Sequence, residues 1–394
     1  VKREANLVLA ARMAEIEPFH VMDVQNRAHD LEAAGRRIVH MEIGQPDFPA
    51  PPLVADAAIE AIRSRRLGYT DSVGIPQLRQ AISDYYRERL GASVPPSRIV
   101  ITAGASGGFL LVLGALVDPG DEVLMPDPCY PCNRHFVRLF NGRPRAIPVD
   151  ETRSYQLTAA DVSSNWSEAT RGVLLASPSN PTGTSIPREE LRTIVQSVRG
   201  SGGFVLVDEI YQGLVYDGRA ATVLDFADDV FVVNSFSKYF CMTGWRLGWI
   251  VAPESHVREI EKLAQNAFIC PSAPAQYAAL AAFLPETLAV LEQRRAEFKR
   301  RRDFMVPALR QLGFRIPLVP QGAFYIYAGC EEFSEDSVRF ALRVLEEAGV
   351  AITPGLDFGS NAPERHVRFA YTRALEDLEE GVERIARMLG RARA

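Results

Sequence analysis

From about residue 98 to residue 252 the chain alternates short apolar runs with longer stretches of helical period. The runs are RIVITA, EVLMPD, RAIPV, GVLLAS, FVLVDE, VFVVNS and LGWIVA. They are rich in Val, Ile and Leu at successive positions, which predicts strands buried on both faces of a mostly parallel sheet. Segments such as GGFLLVLGALV and REELRTIVQSV lie between them and supply the helical crossovers a parallel sheet requires. Further on, LEQRRAEFKRRRDFMVPALRQLG predicts a long, charged helix able to link two domains. After it GAFYIYAG, GVAITPG and HVRFAYT are strand-like, with the helical EDSVRFALRVLEEAG among them, so a smaller α+β unit is expected. The predicted division is a large α/β domain over residues 46–285, with 1–45 and 286–394 forming an N-terminal arm and the small domain. The fold expected is α/β: a seven-stranded, mostly parallel sheet between helices, plus that smaller domain.

Composition narrows the class without naming a function. Of 394 residues, 47% are apolar and 24% charged, as in ordinary globular proteins. A net charge of −5, with arginines spread along the chain, gives no footprint for nucleic acid. No apolar run approaches the roughly 18 residues of a membrane span, and the N-terminal stretch is mixed in charge without a signal-peptide core. Five cysteines, an odd number, fit a reducing compartment better than a disulfide framework, so a cytoplasmic location is expected. Cys129 and Cys132 have CxxC spacing, but no second pair or suitably spaced His completes a metal site. Asn165 heads a glycosylation sequon that means little without secretion.

The four lysines stand against forty arginines. One of them, Lys238, lies in SFSKYFCMTGWRLGW, where a bare positive charge would here have been an arginine. A guanidinium stays protonated, whereas a buried amine can lose its proton and attack a carbonyl. Ligands in open α/β sheets bind beyond the carboxyl ends of the strands, and other reactive groups fall at those ends. ITAGASGG closes a strand in small residues and opens a helix near Ser106, a plausible cradle for an anion. The same residues satisfy G-x-S-x-G, the nucleophile elbow of α/β-hydrolases. That reading is disfavoured because the preceding 97 residues are mainly helical or turn-rich and carry no HGGG-like loop. G-x-G-x-x-G is absent from the turn, which argues against a dinucleotide fold. Asn180 sits in the turn of LLASPSNPTG, Asp208 ends FVLVDE with Tyr211 three residues on, and Ser235 precedes Lys238 in VFVVNSFSK. Arg246 follows in TGWRLGW and can fork onto a phosphate. An amine, an acid, an anion cradle, an arginine and phenol or amide donors together suit pyridoxal phosphate.

The chain resembles a class I aminotransferase of the fold type I pyridoxal-phosphate enzymes. The motifs run nearly end to end: GQPDFPAP, GYTDSVGIPQLR, TAGAS, DPCYP, SNPTG, VDEIY, SFSK, GWRLG, GAFY, GVAITPGLDFG and VRFAY. The resemblance implies that Lys238 is the Schiff-base lysine and proton shuttle and that Asp208 pairs with the pyridinium nitrogen. It implies that Tyr211 and Asn180 contact O3′, and that Gly104, Ala105, Ser106, Ser235 and Arg246 hold the phosphate. Tyr130 falls where the family stacks an aromatic ring on the cofactor. Tyr69 in LGYT resembles the tyrosine that reaches a neighbouring subunit's phosphate, which implies a homodimer with shared sites. Arg368 in VRFAY resembles the clamp for the substrate α-carboxylate, with Asn180 and the backbone at Gly44 nearby.

The expected reaction transfers an amino group from an L-amino acid to a 2-oxo acid. Competing readings are a β-lyase on the same scaffold and a non-enzymatic regulator. The regulator usually carries a DNA-binding module ahead of the domain, for which this N-terminus has no room. An apolar or small donor is expected over aspartate, because a distal carboxylate needs a second cation. Phe19 and His20 are candidates for the side-chain pocket, and Arg134 is the cation that could reverse the preference.

Overall fold

The structure, a computed structural model, describes residues 9–64, 67–218 and 220–391. Lys2 and the first part of the N-terminal stretch lie outside these residues. Each of the seven apolar runs forms a strand. They are β1 (Ile99–Thr102), β2 (Glu122–Asp127), β3 (Arg143–Pro148), β4 (Thr170–Ala176), β5 (Phe204–Asp208), β6 (Phe231–Ser235) and β7 (Gly248–Val251). Their order across one sheet is β1-β7-β6-β5-β4-β2-β3. All neighbours run parallel except β7, which is antiparallel to both β1 and β6. Successive side chains on a strand point to opposite faces, and each face has its own core. Val100, Val123, Leu174, Leu206, Val233 and Ile250 pack into one. Ile99, Ile101, Leu124, Val173, Val205, Val207 and Trp249 pack into the other. The outer strand β3 departs from the two-faced expectation. Only Ile147 of it is buried, and it carries Arg143, Pro144, Arg145 and Pro148, residues that protect an edge from further pairing.

The helices that position the site are α1 (Val21–Ala33), α2 (Gly104–Leu116), α3 (Pro131–Leu139) and α4 (Pro285–Gln311). The long α4 is the charged helix read in the sequence. Its Arg301, nearly fully buried, forks onto Asp47 (2.9 and 3.0 Å), so the GQPDF segment is clamped to the helix. Breaking such a buried pair typically costs about 3–5 kcal/mol. Beyond α4 a second sheet contains β8 (Tyr325–Gly329), β9 (Thr353–Pro354) and β10 (His366–Ala370), in the order β9-β10-β8 and antiparallel. The IVHMEIG segment joins this side of the molecule: Val39–His40 pairs in parallel with Val350–Ala351. Among the described residues no helix is long and apolar enough to cross a membrane, and all five cysteines are unpaired.

Candidate active site

A cavity of about 330 Å³ opens at the carboxyl ends of the parallel strands and is closed on the other side by β8, β9 and β10. One end of it is built for an anion. The 13-residue helix α2 begins at Gly104 without any capping side chain, so its first N–H groups and dipole remain for a ligand. Gly104 has φ +70°, and a Cβ there would lie 2.7 Å from Arg246 Nη2. At Gly248 a Cβ would meet the backbone of Gly104 and Ala105 at 2.8 and 2.9 Å, so glycine lets the helix start press onto β7. Because β7 runs antiparallel, its beginning lies at this edge and brings Arg246 here. Arg246 is itself left-handed (φ 50°) and exposed, and its Nη1 donates to the Thr243 carbonyl at 3.1 Å. A non-glycine residue there costs about 1–2 kcal/mol. Ser235 Oγ donates to Ser237 Oγ (3.0 Å), and both serines line the cavity with Ala105 and Ser106.

In the middle stands Lys238. Its Nζ donates to the Gly44 carbonyl (2.6 Å) and lies 5.8 Å from the Tyr211 ring centre and 5.7 Å from that of Phe324. Burial, helped by Arg368 and Arg246, lowers its pKa to about 8 against the pull of Asp208. Asp208 accepts from the Ile210 N–H (3.0 Å), and burial pushes its carboxyl up to about 7. A cation placed against that carboxylate would draw it back down. The Tyr211 and Tyr325 hydroxyls are 2.8 Å apart, and burial holds Tyr211 well above the ordinary phenol range.

At the other end Arg368 is almost fully buried. Its Nη1 donates to Asn180 Oδ1 (2.9 Å), and its Nη2 donates to the Glu42 carbonyl (2.6 Å) and Thr353 Oγ (3.2 Å). The guanidinium lies between two rings, 4.2 Å from the centre of Tyr325 and 4.9 Å from that of Phe358. With the Asn180 oxygen engaged, its NH₂ is the group left to donate. The Glu42 carboxyl is fully buried and pairs with His40 Nδ1 at 2.7 Å.

Residues 36–385 match the family Aminotransferase class I and II. The chain belongs to that family. It is 39% identical over 381 residues to valine–pyruvate aminotransferase of Mycobacterium tuberculosis, covering 96% of this chain and 98% of that one. It is 35% identical over 387 residues to (5-formylfuran-3-yl)methyl phosphate transaminase of Methanocaldococcus jannaschii, covering 98% and 100%. Among solved structures, Thermus thermophilus aspartate aminotransferase with maleate superposes with a TM-score of 0.91 at 31% identity, covering 97% and 100%. The protein is therefore an aminotransferase whose cofactor is pyridoxal 5′-phosphate.

Most residues that the sequence singled out for this aminotransferase converge on the one cavity. Gly44, Ala105, Ser106, Tyr130, Asn180, Asp208, Tyr211, Ser235, Lys238, Arg246 and Arg368 all line it, with Gly104 just behind Arg246. Tyr69 lies elsewhere, 84% exposed. Phe19 is in the wall; His20 is not, and its backbone N–H donates to Asp357 Oδ1 (2.7 Å). The Val21 N–H donates to Asp357 Oδ2 (2.9 Å), so Asp357 fixes the start of α1 over the cavity. Arg134 is not in the wall; it donates to the Asp357 carbonyl (2.8 Å). Wall residues given no role from the sequence include Tyr325, Thr353, Phe358 and Asp357, although the GAFY and GVAITPGLDFG motifs contain all four.

Proposed function

We propose that Lys238 is the residue that holds pyridoxal phosphate and carries the proton during transfer of an amino group from an L-amino acid to a 2-oxo acid. The observation behind this reading is a half-buried amine, its pKa lowered to about 8, between a guanidinium at each end of one cavity. The donor set fits the cofactor. The uncapped start of α2, Ser106, Ser235 and Arg246 would take the phosphate, in a cradle that a Cβ at Gly104 would fill. Asp208 would hold the proton on the ring nitrogen, and Tyr211 with the Asn180 NH₂ would donate to the phenolic oxygen. Tyr130 would lie against the ring. When bound, the cofactor supplies a carbonyl that takes up the amino group and a ring that draws electrons from the substrate α-carbon. Arg368 would clamp the α-carboxylate beside Asn180 and Gly44. Lys238, as a neutral amine, would remove the α-proton, general-base work typically worth about 100- to 10,000-fold.

We further propose an apolar or small donor. The cations in the cavity wall are Lys238, Arg246 and Arg368, each already assigned, and the N-terminal segment adds Phe19, Val21, Met22 and the uncharged Gln25. Similarity to the valine–pyruvate enzyme supports this, and similarity to the aspartate enzyme is weaker in identity. We also place the protein in the cytoplasm as a homodimer in which Tyr69 of one protomer reaches the phosphate site of its partner. Ile59, Ile62, Leu67, Ile269 and Leu284 are exposed apolar side chains that a partner could cover, and Thr70, next to Tyr69, is held by Gln276 Nε2 donating to its Oγ (3.0 Å). The test is kcat/KM for alanine, valine, leucine, phenylalanine and aspartate with a common 2-oxo acid, with sedimentation at assay concentration. Aspartate ahead by tenfold would overturn the donor assignment. Turnover without any 2-oxo acid would overturn the reaction, and a fully active monomer the shared site.

A further inference from the structure

Tyr325 begins β8, is almost fully buried and touches three separate parts of the site. Its hydroxyl is 2.8 Å from that of Tyr211. Its ring lies 4.2 Å beneath the Arg368 guanidinium. A Cβ at Gly44 would overlap its hydroxyl oxygen and come within 2.9 Å of Cζ, so the glycine leaves room for this phenol. The backbone just before it is held in place at a cost. Ala323 has φ +58°, a conformation that disfavours side chains. Its carbonyl accepts from both Tyr216 and Tyr371 hydroxyls.

We propose that Tyr325 is a positioning residue serving both ends of the site, aiming the Tyr211 proton at the cofactor's phenolic oxygen and holding Arg368 in plane for the substrate carboxylate. Two phenols share one hydrogen bond, so one must donate. A negatively charged phenolic oxygen placed beside Tyr211 would accept the Tyr211 hydrogen bond. Tyr211 can then only accept from Tyr325. The result is a directed chain, Tyr325 to Tyr211 to cofactor oxygen, in which each bond strengthens the next. The charged and titratable groups facing this chain are Arg368, Tyr130 and Lys238. Burial keeps both phenols above their ordinary range, hence protonated and able to donate. Beneath Arg368 the ring supplies a flat, electron-rich face on which the guanidinium can neither tilt nor rotate freely.

The two roles separate by substitution. Tyr325→Phe keeps the ring and removes the hydroxyl. Tyr325→Leu removes both, and Tyr325→Met is the alternative should the leucine variant fail to fold. The inference rests on Tyr211 donating to the phenolic oxygen, so Tyr211→Phe is measured alongside. The first readout is the pH midpoint of the bound cofactor's absorbance, without substrate. Weaker donation to the phenolic oxygen disfavours its anionic form, so the midpoint should rise by about 0.1–0.7 unit in Tyr325→Phe and by more in Tyr211→Phe. The second is KM for the donor, which should stay within about twofold in Tyr325→Phe and rise about 2- to 30-fold in Tyr325→Leu. A Tyr211→Phe midpoint equal to wild type would overturn the Tyr211 assignment itself. A shift in Tyr211→Phe with none in Tyr325→Phe would overturn the chain alone. Equal KM values in the phenylalanine and leucine variants would overturn the stacking role.

Discussion

Arg368→Lys tests the proposed role of Arg368 as the clamp for the substrate carboxylate. The guanidinium already spends two nitrogens on Asn180 Oδ1, the Glu42 carbonyl and Thr353 Oγ, between the rings of Tyr325 and Phe358. A planar fork can serve those acceptors and still meet a carboxylate, whereas a lysine ammonium is a point charge with three donors. Held by Asn180 and Glu42, it has one hydrogen bond fewer to give the substrate. A hydrogen bond to a charged group contributes about 1.5–3 kcal/mol, which is about 10- to 160-fold in kcat/KM. The loss should appear in donor and acceptor alike, since both carry the α-carboxylate. Amines lacking a carboxylate should be poor substrates for the wild type and lose less than about threefold in the variant. The assay is a pair of half-reactions followed by cofactor absorbance, with carboxylated and decarboxylated donors of the same side chain. An equal loss for both classes would mean that Arg368 supports the fold and does not bind substrate.

Asp208→Asn keeps an acceptor for the Ile210 N–H but cannot hold a proton on the ring nitrogen. Cofactor should still bind while half-reaction rates fall by about 100-fold or more; near-wild-type rates would assign the job to another acid. With Lys238 as the proposed attachment point, capture of pyridoxal phosphate by the apoprotein would need its neutral form, so the rate should climb with pH and level off above about 8. A midpoint in the ordinary lysine range would refute the burial argument. His40 is raised above its ordinary pKa chiefly by its hydrogen bond to Glu42, with Glu32 3.0 Å from its other nitrogen. A raised folded value means the pair's stabilisation is complete below the unfolded His pKa, near 6.5, and is lost as pH rises through the folded value. Urea unfolding of wild type and His40→Asn should therefore converge at high pH, and a gap that widens with pH would contradict the linkage.

The strands were legible because each is a short block of β-branched and aliphatic residues bounded by turns, and a buried parallel sheet demands that composition on both faces. The edge position of β3 was not, because strand order depends on which crossovers stack, and RAIPV differs from its neighbours only in its flanking arginines and prolines. The cavity residues at strand ends could be read because their chemistry is local: Lys238, Asp208 and Arg246 each follow or precede an apolar run. Tyr325 and Asp357 escaped because their roles exist only across the chain. The Tyr211–Tyr325 bond joins residues 114 apart, and Asp357 reaches His20 across 337 positions. The aromatic that follows Gly322-Ala323-Phe324 was the available signal for the first. Arg134 had the right charge and neighbourhood in sequence, yet a single turn of α3 carries it past the cavity to the Asp357 carbonyl.

The central claim is that Lys238 carries the cofactor. Borohydride reduction of the purified holoenzyme, followed by proteolysis and mass mapping, tests it directly. A phosphopyridoxyl group is expected on the peptide containing Lys238, and a Lys238→Arg variant should fold but take no label and not turn over. A label on Lys262 or Lys299, or an active holoenzyme unlabelled at Lys238, would contradict it.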